Sequence, residues 1–148
     1  MFLVVLFAAC TSNPRDPSLI GVVAEEERTG SISTRFGLTD GRSVVIDAND
    51  FRQLGPGLDA EPGDLLLVGN DQQGGWLAVL RGGGRCYELE SFGHDEGDFV
   101  VFDVGFRLPK HPEFRGGRDS VYDTPLIAFC VDEQGLVRSY GPPPLGDG

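Results

Sequence analysis

The sequence predicts an all-β domain, folded as a small antiparallel barrel or, alternatively, as a β-sandwich. The chain carries 22 glycines and 10 prolines among its 148 residues. Turn signals interrupt it at intervals of about 8–12 residues, a spacing typical of sandwiches and barrels. Over no long window do apolar residues recur with the period of a helix. We therefore expect short strands and tight turns in one domain that is large enough to bury a core.

Three strands are predicted in the first third of the chain, at residues 19–25, 32–38 and 43–47. Asp40 and Gly41 mark a hairpin between the last two, because both central residues of a type I′ turn take positive φ. Residues 48–54 are predicted as one or two helical turns, with Asp47 or Asn49 as the N-cap. This meander with its interruption is similar to the start of an oligonucleotide/oligosaccharide-binding (OB-like) barrel, our first expectation for the fold.

Six further strands are predicted at residues 65–68, 76–80, 85–90, 99–108, 126–131 and 136–138. In residues 99–108 alternate positions are apolar, so one face of a single long strand is expected to be buried. Gly135 suits the positive-φ position of the last hairpin. Residues 109–123 are predicted as a long polar loop and residues 141–148 as a disordered tail.

Residues 2–9 form an apolar run that is too short for a transmembrane helix, which needs about 20 residues. They match the hydrophobic core of a secretory signal peptide, with small residues before the cleavage point. Phe7-Ala8-Ala9-Cys10 resembles the lipobox of bacterial lipoproteins, although that family prefers Leu where this chain has Phe7. The resemblance implies cleavage before Cys10 and attachment of a diacylglycerol to its thiol.

The lipobox divides the chain into a signal peptide (1–9), a lipidated Cys10 with a tether (10–18), a single β-domain (19–140) and the tail. Because no Lys or Arg precedes Arg15, we expect the complete signal to begin upstream of Met1. The alternative is that residues 2–9 form a buried strand and that Cys10 belongs to the core. The polar segment after Cys10, which holds two prolines, favours the tether.

Cys86 and Cys130 are expected to form a disulfide. Lipid attachment accounts for Cys10, so the other two of the three cysteines remain as a pair in an oxidising compartment. Both lie in apolar strand-like runs, which can hold them at a fixed separation. The alternative is two separate buried thiols.

The net charge of −11 argues against a nucleic-acid partner, because phosphate-backbone binding depends on clusters of Lys and Arg that this chain lacks. The same acidity disfavours direct docking on anionic head groups. The membrane is therefore expected as a partner only through the lipid anchor.

No catalytic, cofactor-binding or metal-binding residue is predicted. Segment 94–98 offers one histidine and three carboxylates, but it lacks the spacing of a calcium loop. His94 and His111 lack the close pairing of a catalytic zinc site. Ser120 lies in no nucleophile motif. Trp76 is expected in the core, with stacking on a sugar ring as the alternative.

We therefore expect a non-enzymatic module, lipid-anchored on the extracytoplasmic face of a bacterial cell membrane. It would bind an envelope protein or a small ligand, or have a structural role, and present loops such as residues 110–115. The rival hypothesis is an envelope hydrolase or metal-dependent enzyme that uses His94 and His111 with nearby acids. A short distance between these two histidines would favour the enzyme.

Lipidation is tested by Cys10→Ser in the native host, expressed with a complete signal. The wild-type protein is expected to partition into detergent and to carry a mass increment on Cys10. The variant lacks the thiol that takes the lipid, so it is expected as a soluble form or as an uncleaved precursor. Processing and membrane retention equal to wild type would contradict the lipobox.

Overall fold

The computed structural model describes residues 14–54, 59–83, 85–115 and 127–141, and all regular structure in these ranges is β. The strands are β1 (Leu19–Arg28), β2 (Ser33–Leu38), β3 (Ser43–Asp47), β4 (Phe51–Gln53), β5 (Leu65–Asp71), β6 (Gly74–Gly83), β7 (Cys86–Leu89), β8 (Gly93–Glu96), β9 (Phe99–Phe102), β10 (Phe106–Pro109), β11 (Ile127–Val131) and β12 (Val137–Gly141). The predicted all-β class is confirmed. Within the described ranges, no helix is long and apolar enough to cross a membrane.

The strands form a nine-stranded and a three-stranded sheet. The large sheet has the order β12-β11-β7-β6-β5-β1-β2-β3, with antiparallel neighbours, and β4 pairs parallel to β6. The small sheet has the antiparallel order β10-β9-β8. In the part of the chain that the structure describes, β3 and β12 end the large sheet without pairing to each other. The predicted small barrel, closed or nearly closed, is thus not seen among the described residues, whose strands form a large and a small sheet.

The β5–β6 hairpin is buried on both faces. Its apolar run Leu65–Val68 has no polar alternation, and the side chains divide by the period of two between separate clusters. Leu65 and Leu67 enter the first cluster, whereas Leu66 and Val68 enter the second. Strands buried on both faces are expected to be continuously apolar. The two cores therefore share this hairpin.

The first core is the larger and is rich in aromatic residues. It joins the C-terminal strands of the large sheet to the small sheet across one face of β5–β6. Trp76, which is fully buried, stacks on Phe106 with ring centroids 5.9 Å apart, and Phe102 lies 5.1 Å from Phe129. The prediction that Trp76 belongs to the core is confirmed.

The second core lies between the opposite face of β5–β6 and the β1–β2–β3 meander. Val23, Phe36, Leu38 and Ile46 supply the meander side, and each is buried. The predicted three-stranded meander is thus confirmed. The meander belongs to the same sheet as the hairpin, because β1 pairs antiparallel to β5, and it covers the second buried face of the hairpin.

Residues 48–54 do not form the predicted helical turns. The Asp47 carboxylate accepts the N–H of Asn49 at 2.9 Å, which closes a tight turn rather than capping a helix. Strand β4 follows and pairs parallel to β6, with Phe51 opposite Gly75. Phe51 packs against the second core, so tertiary contact determines the local conformation here.

The predicted single strand 99–108 is a hairpin of β9 and β10. The chain turns at residues 103–105, where Gly105 has a φ of 130° and donates its N–H to the Phe102 carbonyl. Phe106 pairs directly opposite Phe102, so both remain buried on the same face. A hairpin paired in this register shows the same alternation of apolar residues as one long strand, so the sequence pattern does not distinguish the two. Strand β8, where no strand was predicted, pairs with β9.

Glycines at two predicted hairpins take the expected left-handed conformation, with φ of 93° at Gly41 and 84° at Gly135. They differ in their surroundings. A Cβ on Gly41 would meet nothing within 4 Å, whereas one on Gly135 would lie 2.8 Å from Ile20 Cδ1.

We expect Gly41→Ala to lower the free energy of unfolding by about 1 kcal/mol, through the left-handed conformation alone. Gly135→Ala adds overpacking against Ile20, so its total cost is expected to be roughly 2–3 kcal/mol. Urea denaturation of the two variants measures the difference. Equal costs would contradict the close approach of Gly135 to Ile20.

Candidate functional site

A groove of about 420 Å³ opens where β1 and β5 approach β7 and β11. Its lining residues are Ile20, Gly21, Val22, Thr39, Asp40, Leu65, Arg85, Tyr87, Val131, Asp132, Glu133 and Gly135. They come from five separate parts of the chain. The β1–β5 and β7–β11 pairings of the large sheet bring four of these parts together.

The floor of the groove is apolar. Val22 pairs opposite Leu65, and Leu65 and Val131 are buried members of the first core. Tyr87 completes the floor, where burial and the charge of Asp64 raise the pKa of its phenol. Such a floor with a few polar groups at its margin is typical of small-molecule sites.

The rim is acidic. It holds the carboxylates of Asp40, Asp132 and Glu133 against the guanidinium of Arg85, which lies 3.4 Å from Glu133. Arg42 pairs with Asp40 at 2.7 Å, and its hydrogen bonds, first from its backbone N–H, hold the pKa of Asp40 below the ordinary value. The lining itself thus has three acids and one base.

Asp132 shapes the β11–β12 turn beside the groove. One of its carboxylate oxygens accepts the N–H groups of Gln134 and Leu136, at 2.8 and 2.9 Å. The other lies 3.5 Å from His111 Nε2. The Nδ1 atom of His111 accepts the N–H of Glu113, and its Nε2 atom also lies 3.3 Å from Arg138 Nη1. The structure therefore puts His111 next to a rim residue.

The disulfide between Cys86 and Cys130 is present, as predicted. The two residues are paired across β7 and β11, with Cα atoms 4.0 Å apart. Next to this pair, Val131 donates its N–H to the carbonyl of Arg85 at 2.8 Å. The cross-link therefore joins the two strands at the point where both contribute residues to the groove.

His94 lies on β8 and has different partners from His111. It contacts Glu96 at 3.1 Å and Asp103 at 3.7 Å. The two histidines thus contact different carboxylates. Among the described residues, no group of three or more His, Cys, Asp or Glu side chains is arranged to hold a metal ion.

The first part of the predicted long loop packs on the body. Lys110 pairs with Asp95 at 3.4 Å and lies 4.8 Å from the ring centroid of Phe114, which stacks on Tyr140. Arg115 donates its N–H to the carbonyl of Arg138. Residues 110–115 are therefore bound to the domain rather than freely presented. The remainder of the loop, residues 116–123 with Ser120, lies outside the described residues.

The segment before β1 is attached to both sheets. Arg15 forms an ion pair with Asp71 at 2.6 Å and forms a parallel bridge with Phe106. Asp16 accepts two hydrogen bonds from Arg107, and Ser18 donates its N–H to Val68. Part of the predicted tether (10–18) is thus bonded to the domain. The signal peptide, Cys10, residues 11–13 and tail residues 142–148 lie outside the described residues.

Arg15, Asp71 and Arg52 form one charged cluster, in which both guanidinium groups bind the same carboxylate oxygen. Hydrogen bonds from Arg52 and then Arg15 hold the pKa of Asp71 far below its ordinary value. The cluster fixes the entering chain to the end of β5.

Comparison of the chain with protein-family models, curated proteins and solved structures gives no match. A functional assignment accordingly rests on the geometry of the described residues. The sequence reasoning identified the disulfide and the turns that carry Asp40 and Asp132, but it missed the groove. Its lining residues lie far apart in the chain, and only long-range strand pairing brings them together.

Replacing both Cys86 and Cys130 with Ser is expected to lower the free energy of unfolding by about 4 kcal/mol, the loop-closure entropy of a loop of roughly 45 residues. Urea denaturation of the secreted domain measures this loss. Thiol counting on the denatured, unreduced protein is expected to find neither sulfur free. Two free thiols would contradict the cross-link.

Asp71 is expected to stabilise the domain at neutral pH and to lose this effect in acid. Its lowered pKa means that the contribution is complete above the pKa of an unfolded Asp, about 3.9, and declines as pH falls below it. Asp71→Asn should lower Tm at pH 7 and flatten its fall between about pH 5 and 3.

Melting curves at each pH test this, with Asp40→Asn as the control. Asp40 forms an exposed pair with Arg42, which solvent screens, so its effect should be smaller. An Asp71→Asn profile parallel to that of wild type would contradict the role of the cluster.

Proposed function

We propose that the chain is a lipid-anchored binding module on the extracytoplasmic face of a bacterial membrane. The groove between β1 and the β7–β11 pair is its ligand site. The observation that carries this proposal is an apolar floor with an acidic rim, held by a disulfide on one wall. The disulfide also favours an oxidising compartment, and the lipobox-like residues before Cys10 supply the address.

The chemistry of the groove favours a small ligand with an apolar body and a basic group. Leu65, Val22 and Val131 offer apolar contact. The three rim carboxylates exceed Arg85 and the Arg42 that pairs with Asp40 by one negative charge. Arg85 is partly neutralised by Glu133. A cation at the rim would gain Coulomb attraction, and its apolar part would leave water.

Binding is favoured over catalysis by the placement of the histidines. His111 lies beside the groove through Asp132, whereas His94 has its own carboxylate partners on the small sheet. A hydrolase using both would need them around one concavity.

Two probes of matched apolar body and opposite charge test the site, phenethylammonium and phenylacetate. We expect the ammonium probe alone to shift the NMR signals of the Ile20, Val22 and Val131 methyl groups on titration. Glu133→Lys, at an exposed rim position, should weaken its binding about three- to five-fold. Glu26→Lys, at an exposed position outside the groove, serves as the matched control.

Equal shifts from both probes would contradict the ligand class. Shifts that spare the three groove methyl groups would contradict the site. A Glu26→Lys variant that weakens binding as much as Glu133→Lys would show a general charge effect instead of recognition at the rim.

A further inference from the structure

The chain enters the domain at one defined end, which we call the entry end. It consists of Arg15, Asp71, the exposed Phe92 and the 103–105 turn. The Arg15 carbonyl accepts the N–H of Arg107, and Arg15 donates its own N–H to the Gly105 carbonyl. Asp103 donates its N–H to the Phe92 carbonyl at 2.8 Å. These contacts place Phe92 beside the point where the preceding residues leave the domain.

The covalent distance from this end to Cys10 is short. Arg15 is five steps along the chain from Cys10, so a fully extended chain between them spans at most about 18 Å. Residues 15–18 add no reach, because they are bonded to β5 and β10. A lipid on Cys10 therefore keeps the entry end within about 18 Å of the membrane.

The charge of the entry end suits a bilayer better than the acidic stretch of β1 does. Arg15 and Arg52 share the carboxylate of Asp71, and the carboxylate of Asp103 balances the remaining positive charge, so these groups carry no net charge. The opposite direction along β1 carries three consecutive acids, Glu25 to Glu27, all exposed. Repulsion by anionic lipids is therefore weaker at the entry end than at this acidic stretch.

Phe92 adds an aromatic contact at the same end. It is 40% exposed, and it is the one aromatic residue among the exposed large apolar side chains of the described residues. Aromatic rings are enriched where lipid head groups meet water. The other two exposed apolar side chains, Ile32 and Val45, lie on the meander.

We propose that the entry end rests on the lipid surface, with Phe92 at the head-group interface and the groove directed away from the bilayer. This proposal rests on the lipid anchor of the proposed function. Leu65 in the groove and Asp71 at the entry end are six residues apart along β5, a rise of about 20 Å. The groove thus opens toward the extracytoplasmic solvent.

Fluorescence quenching by brominated lipids tests the orientation. The lipidated full chain is reconstituted into phosphatidylethanolamine–phosphatidylglycerol vesicles that carry bromine on the upper acyl chain. The native Trp76 is fully buried and supplies a constant background. Phe92→Trp is expected to gain emission that these lipids quench about two-fold, as for an interfacial aromatic residue.

Val45→Trp is the matched control. Val45 is 56% exposed. It pairs with Arg35 on β2, and Arg35 pairs with Glu27 on β1, eight residues along that strand from Leu19. Its added emission is expected to be unquenched. A Gly-Ser spacer of about 20 residues between Asn13 and Pro14 should lower the quenching of Phe92→Trp, because a long flexible linker relaxes the orientation.

Failure of the proposed orientation can be distinguished from failure of the proposed lipid anchor. Mass analysis of Cys10 and flotation with the vesicles report lipidation, and their failure overturns the anchor and the orientation together. Lipidated protein that floats but shows an unquenched Phe92→Trp overturns the orientation alone. Equal quenching at positions 45 and 92, or quenching unaffected by the spacer, overturns it as well.

Discussion

Both faces of the β5–β6 hairpin are buried, and each face packs into a different core. Leu66 and Leu67 are adjacent in sequence, yet they belong to different cores. Side chains that alternate across a strand enforce this division. A shift of one residue in the β5–β6 register would exchange the two sets, so the register is strongly specified. Each core is completed only when the other strands pack onto the hairpin.

The groove and the entry end lie at opposite ends of strand β5 in this hairpin. Leu65 begins β5 beside the groove, and Asp71 ends it within the arginine cluster. The Cys86–Cys130 cross-link stabilises the groove, and the bonded segment at Arg15 stabilises the entry end. Strand β5 therefore sets the distance between the proposed ligand site and the entry end.

The sequence predicts well what depends on neighbouring residues. The glycine conformations at Gly41 and Gly135 and most strands follow from local chemistry, whereas the disulfide follows from the count of three cysteines. It predicts poorly what depends on distant contacts. Phe51 lies in an extended strand because it packs on the second core. Phe102 and Phe106 fit the same apolar alternation whether they lie in one strand or in a hairpin. The groove needs pairings between strands far apart in the chain.

Native-state hydrogen exchange of Leu66→Ala and Leu67→Ala tests the shared hairpin most directly. Each substitution removes a fully buried side chain, at a cost of about 2–5 kcal/mol, from one core. If the hairpin couples the cores, each variant lowers the protection of the amides in both β2–β3 and β9–β11 by a similar factor. Loss of protection confined to β2–β3 in Leu66→Ala, and to β9–β11 in Leu67→Ala, would show two independent cores and contradict this account.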